Sequence, residues 1–108
     1  MIHHIENNQI NSEVLKSDKL VIVDFYATWC MPCQMLTPIL VDIDKENEDV
    51  EIFKVNVDEN QETAIRYDIV SVPTLIFFKD GKEIDRQIGL VEKEKLEEII
   101  KSFFNNKE

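Results

Sequence analysis

Cys30 and Cys33 are the only cysteines in this 108-residue sequence, and they stand three positions apart in Trp29-Cys30-Met31-Pro32-Cys33. Two thiols one helical turn apart can trade electrons with another disulfide, or supply part of a metal site. A bridge between them would close a tiny loop, worth only ~2 kcal/mol on the loop-entropy argument, against ~4.7 kcal/mol for a loop of about 100 residues. The spacing therefore suits exchange better than stapling. Zinc asks for four ligands and the pair offers two. His3 and His4 are adjacent, lack the spacing of a zinc-binding histidine pair, and are read as surface residues, so no metal is expected.

Two further residues carry chemistry. Asp24 interrupts an apolar run, where an unpaired carboxylate is costly and its pKa rises. A carboxylate near a strand end can reach solvent or a backbone N–H, but the apolar residues on both sides argue instead for burial. Pro73 lies in Val72-Pro73-Thr74; since only ~5–6% of X-Pro bonds are cis in folded proteins, the residues alone predict a trans bond.

These residues need a scaffold. Residues 20–27 form a near-continuous apolar run rich in branched and aromatic side chains, which predicts a strand buried on both faces. A helix over residues 32–47 follows, with Leu36, Ile39, Leu40 and Ile43 at helical spacing; Pro32 suits its first turn and Pro38 is expected to kink it. A strand over 52–57 completes a βαβ unit. Asp58 or Asn60 can cap a short helix running to Tyr67, residues 74–78 form another strand, and Asp80-Gly81 turns the chain into an antiparallel strand over 83–88. Leu96, Ile99, Ile100, Phe103 and Phe104 make one apolar helical stripe. A short strand over 2–6 and a helix over 8–16 are expected at the N-terminus. The exchange pair thus falls where the first buried strand ends and a helix begins. There, free N–H groups and the helix dipole stabilise a Cys30 thiolate. Cys33, inside the helix, is expected to be the more buried sulfur.

The expected architecture is α/β: a central mixed sheet with a parallel core and an antiparallel hairpin, flanked by helices on both faces, in a single domain over residues 1–108. Hydrophobic residues make up 44% and charged residues 31% of the chain, the profile of an ordinary soluble protein. With 12 basic against 22 acidic side chains, the net charge of −10 disfavours nucleic acid and anionic membranes as partners. No apolar run approaches the ~20 residues of a membrane span. Residues 1–6 lack a basic start followed by an apolar core, so no signal peptide is expected and the expected compartment is the cytoplasm.

The sequence resembles the thioredoxin family through residues 23–33, through Val72-Pro73-Thr74 and through Asp80-Gly81-Lys82, in matching order and spacing from the N-terminus to about Phe104. That resemblance implies the thioredoxin fold and thiol–disulfide oxidoreductase activity, with Cys30 as nucleophile and Cys33 as resolving thiol. It implies that Asp24 is a buried proton acceptor and donor close to Cys33. Lys54 matches a lysine that tunes that aspartate, though an exposed strand lysine is an equal reading of it. The resemblance also reverses the expectation for Pro73, placing a cis proline against the cysteine pair. Gly89 matches a glycine lining the same substrate groove, or else simply turns the chain; Trp29, Met31, Pro32, Val72 and Leu90 would supply an apolar rim. The implied partners are thioredoxin reductase and protein disulfides of the ribonucleotide reductase, peroxiredoxin and methionine sulfoxide reductase type, met by a monomer. No bound cofactor is implied, NADPH being consumed by the reductase.

The sequence departs from the family at two places. Met31 stands where the family most often has glycine, which leaves the reduction potential open. Residues 67–71 lack the glycines often found before the proline, so the loop beside the groove is expected to be stiffer. A docking module with incidental redox chemistry, or an oxidant or isomerase, are the competing functions. The retained pair of thiols argues against the first. Oxidants and isomerases suit secreted compartments.

Overall fold

The computed structural model describes residues 2–6 and 9–105. The chain runs β1 (Ile2–His4), a π-helical turn (Ile10–Val14), β2 (Leu20–Tyr26), α1 (Met31–Glu46), β3 (Val50–Asn56), α2 (Gln61–Arg66), β4 (Thr74–Lys79), β5 (Lys82–Ile88) and α3 (Lys93–Asn105). The five strands lie in one mixed sheet in the order β1-β3-β2-β4-β5. β1 and β2 flank β3 in parallel, whereas β4 runs antiparallel to both β2 and β5.

Alternation along β2 divides the core between two faces. Leu20 and Ile22 join Leu36, Leu40 and Ile43 of α1 and Leu96 and Ile100 of α3 on one side. Val21, Val23 and Phe25 pack on the other side with Ile10, Val14, Phe53, Val55, Ile76 and Phe78, closed by Tyr67 and Ile69 after α2. Each fully buried large aliphatic side chain contributes roughly 1.5–3 kcal/mol. β2 is therefore pinned on both faces, and its C-terminal end is a rigid platform.

Most expected elements are present, with shifted ends. β3 starts at Val50, two residues early, because Val50 pairs with Leu20 in the parallel register. Pro38 lies within an unbroken α1. Asn60 holds the N-cap position of α2 without capping it through its side chain; its amide instead donates to the Asn56 carbonyl at 2.9 Å. The expected N-terminal helix begins outside the described residues, and its described part is the five-residue π turn. β1 stops at His4, two residues short of the expected end, although Ile5 is buried and its N–H still donates to the Lys54 carbonyl. His3 is not a bare surface residue: its ring stacks on Phe53 with centroids 4.7 Å apart, and Nε2 lies 3.2 Å from Glu51 Oε2.

Asp80 (φ 53°) and Gly81 (φ 80°) both adopt left-handed geometry, which suits a tight β4–β5 turn. Before Pro73 the glycine-poor stretch still needs one left-handed residue, and Asp68 (φ 57°) takes that position.

Candidate functional site

Cys30 sits between β2 and α1 as the N-cap of α1, with extended backbone (φ −92°, ψ 110°). Its sulfur accepts a hydrogen bond from the Cys33 N–H at 3.2 Å. The donor that a capping oxygen usually satisfies is thus aimed at a sulfur, where it favours negative charge once the pair is reduced to a thiolate. The cap is braced from behind, as Cys30 N–H donates to the Ala27 carbonyl and Gln34 Nε2 to the Thr28 carbonyl at 3.0 Å. Cys30 and Cys33 are joined as a disulfide with Cα atoms 5.3 Å apart.

Cys33 is buried, and the Cys30 residue is buried almost as deeply. Cys30 is 4% exposed and Cys33 3%. Both pack with Ala27, and Tyr26, Val57 and Val72 close over them. Oxidation ties the two side chains together beneath these neighbours, so the difference between the cysteines lies in their position on the helix.

Val72 approaches from the β4 side, its carbonyl oxygen 3.7 Å from Cys30 Sγ. The Val72–Pro73 bond is cis. Gly89 N–H donates to the Pro73 carbonyl at 2.8 Å, so the residue just after β5 is tied to Pro73. Gly89 has φ 92°, a conformation that side chains other than glycine resist. A turn alone did not require glycine here, but this backbone geometry does.

An apolar surface surrounds the pair. Trp29, Met31 and Leu90 are exposed at 71%, 67% and 41%, and Pro32 is exposed in the first turn of α1. A shallow groove of about 350 Å³ is lined by Trp29, Val57, Ile69, Val70, Ser71 and Val72. Of the expected rim only Trp29 and Val72 line this groove. Met31, Pro32, Gly89 and Leu90 lie outside it. Reading the sequence missed Val57, Ile69, Val70 and Ser71 as groove residues. Asp58, also missed, orients the indole by accepting from Trp29 Nε1 at 2.8 Å. No spacing rule could have found that pairing.

Asp24 lies under α1. It points to the same face as Leu20 and Ile22, two and four residues back, and is 1% exposed. The parallel register sets it opposite Lys54, whose Nζ is 3.8 Å from Asp24 Oδ2. Oδ1 has no hydrogen-bond partner among the described residues. Burial pushes the carboxyl from its ordinary 3.8 up to about 6, and the Lys54 ammonium opposes only part of that rise. Lys54 is no exposed strand lysine, since its side chain is 12% exposed and its Nζ sits 4.7 Å from the Tyr26 ring centroid. A second cleft, of about 220 Å³, opens beside it and is lined by Tyr26, Ala27, Thr28, Cys33, Gln34, Thr37 and Lys54.

Cys33 thus stands one helical turn from the capping sulfur of Cys30, and the buried Asp24 carboxyl, raised to about 6, lies opposite Lys54 on the sheet beneath α1. Among the described residues, no group of three or more His, Cys, Asp or Glu side chains could hold a metal ion. No helix among them is long and apolar enough to cross a membrane.

The family model described as Thioredoxin matches residues 1–102. The chain is 45% identical over 97 residues to a thioredoxin of Rickettsia prowazekii, covering 89% of this chain and 92% of that protein. It is 43% identical over 98 residues to a thioredoxin of Mycoplasmoides gallisepticum, covering 91% and 98% respectively. Over 81 residues it is 53% identical to a thioredoxin of Chlamydia pneumoniae, covering 75% and 79%.

Proposed function

Because the chain belongs to the thioredoxin family, and so is a thiol–disulfide oxidoreductase, we propose that it reduces protein disulfides with Cys30 attacking and Cys33 resolving. The observation that carries this assignment is the Cys33 N–H aimed at Cys30 Sγ across the α1 cap. In the reduced protein the Cys30 thiolate attacks one sulfur of the substrate disulfide, forming a mixed disulfide and releasing one substrate thiolate. Cys33 then loses its proton to Asp24 and attacks Cys30 Sγ. The second substrate thiolate leaves, and the chain holds both oxidised sulfurs as the Cys30–Cys33 disulfide. Two electrons have passed to the substrate.

Lys54 tunes Asp24 in this scheme. Pro73 presents the Val72 carbonyl and a segment edge against which an extended substrate strand can pair. Trp29, Met31, Pro32, Val72, Gly89 and Leu90 form the surface on which that strand rests. The redox carrier is the cysteine pair itself. A thioredoxin reductase returns it to the dithiol with electrons from NADPH, and substrates are of the ribonucleotide reductase, peroxiredoxin and methionine sulfoxide reductase type. We place the protein in the cytoplasm as a monomer of one domain.

Cys33→Ser tests the assignment. With a protein disulfide as probe, the variant is expected to accumulate a covalent adduct through Cys30, visible as an added mass that dithiothreitol removes. Binding of the same protein without any adduct would instead make the chain a docking module.

A further inference from the structure

An ammonium and a carboxylate sharing a buried setting close to about 2.7–2.9 Å when nothing competes for either. Lys54 Nζ stops at 3.8 Å from Asp24 Oδ2, although Asp24 is almost wholly covered and its Oδ1 has no hydrogen-bond partner among the described residues. Two competitors hold the ammonium. Thr37 Oγ1 accepts from Nζ at 3.4 Å, and the Tyr26 ring lies beneath it at 4.7 Å. The Thr37 hydroxyl is itself anchored, because it donates to the Cys33 carbonyl one turn back at 3.3 Å. That bond commits its single proton and leaves an oxygen lone pair for the ammonium.

We propose that Thr37 is a positioning residue of the exchange centre: its hydroxyl keeps the Lys54 ammonium off the Asp24 carboxylate and fastens it to the helical turn that carries Cys33. This rests on the reading of Asp24 as the proton acceptor for Cys33. A carboxylate closed directly onto Lys54 would stay ionised and give up its proton-return role. One held at a distance keeps exchanging protons while the ammonium remains in place. The charged and titratable groups facing Asp24 support this geometry. Lys54 comes from β3 and Tyr26 from its own strand, while α1 brings Cys33 and Thr37 to the shared cleft. From β4 the register partner is the apolar Leu75, and Glu59 and Glu6 act on Tyr26 from farther out.

The test uses the full chain with Thr37→Val, which keeps the volume and puts a methyl group where the hydroxyl was, and Thr37→Ser, which restores a hydroxyl. Thr37 is exposed on α1, so neither change opens a core cavity. The Asp24 carboxyl is followed by carbon NMR from about pH 4 to about pH 8, and mixed-disulfide resolution is timed over the same range. In Thr37→Val the titration midpoint is expected to fall by about 0.5 or more as the ion pair closes, and the acid limb of resolution to move with it. Thr37→Ser should return both to wild type. An unmoved or raised midpoint in Thr37→Val overturns the proposal, as does a serine variant that behaves like valine. A separate arm with Asp24→Asn isolates the underlying reading. If its resolution profile matches wild type, Asp24 is not the acceptor and the Thr37 assignment to exchange falls with it. If only the Thr37 variants match wild type, the acceptor role stands without the tether.

Discussion

Two carboxylate–lysine pairs stand at opposite ends of α1 and behave in opposite ways. Near its start, Asp24 is buried, its partner Lys54 stays 3.8 Å away, and its carboxyl is raised to about 6. At its end, Glu46 is half exposed and accepts from Lys93 Nζ at 2.8 Å, and that hydrogen bond holds its carboxyl below the ordinary value. The closer pair is the less reactive one. Water already solvates Glu46, so its ion pair merely ties α1 to α3. Asp24 is buried, its Oδ1 has no hydrogen-bond partner among the described residues, and burial raises its carboxyl toward neutrality.

The largest expected effect lies at the sulfurs this difference serves. Cys30→Ser should reduce protein-disulfide reduction to the uncatalysed background, measured with dithiothreitol as electron source, since no other thiolate replaces it. Asp24→Asn comes next. Loss of a positioned general base costs roughly 10²-fold, so resolution of a trapped mixed disulfide at pH 7 should slow by about that factor while circular dichroism stays native.

The same substitution has a stability signature. Below the ordinary 3.8, Asp24 is protonated in folded and unfolded chains alike. As pH rises towards about 6 the unfolded chain ionises first, so the folded state loses stability, and above that value the full penalty of a buried charge remains. Asp24→Asn should therefore gain stability over wild type as pH climbs, by up to about 3 kcal/mol at pH 7. Urea unfolding at several pH values reads this directly. A gap that is constant with pH would mean that burial does not raise this carboxyl.

The smallest effect belongs to the other pair. Lys93→Met should leave disulfide reduction unchanged and shift thermal unfolding only slightly, with the shift vanishing in high salt. A salt-resistant loss would show that the two pairs are more alike than their surroundings indicate.

Much of this was legible in the sequence because the signals were local. The apolar run of β2, the stripe of α3 and the Asp80-Gly81 turn each declare themselves within a few residues. Asp24 could be singled out because it breaks such a run. What stayed hidden depends on register and on distant chain segments. That Lys54 faces Asp24 follows from the parallel pairing of β2 with β3, and residue type alone left it undecided. Asp58 reaches Trp29 across the site, and Val70 enters the groove from the loop before Pro73. The cis bond at Val72–Pro73 came from family resemblance, since residue statistics pointed the other way. The π turn at Ile10–Val14 escaped because its apolar pattern reads equally as an ordinary helix. Cys33 was expected to be buried from its place inside α1, whereas the near-equal burial of the Cys30 residue depends on Tyr26, Val57 and Val72 from other segments.

The most direct test of the buried carboxyl's role is the pH dependence of mixed-disulfide resolution, wild type against Asp24→Asn. Wild type is expected to show a rate that climbs through about pH 6 as Asp24 ionises, and the variant to lack that limb and rise only as the thiol itself ionises nearer its ordinary ~8.5. Superimposable profiles would contradict the account, leaving Asp24 a buried charge without a part in the exchange.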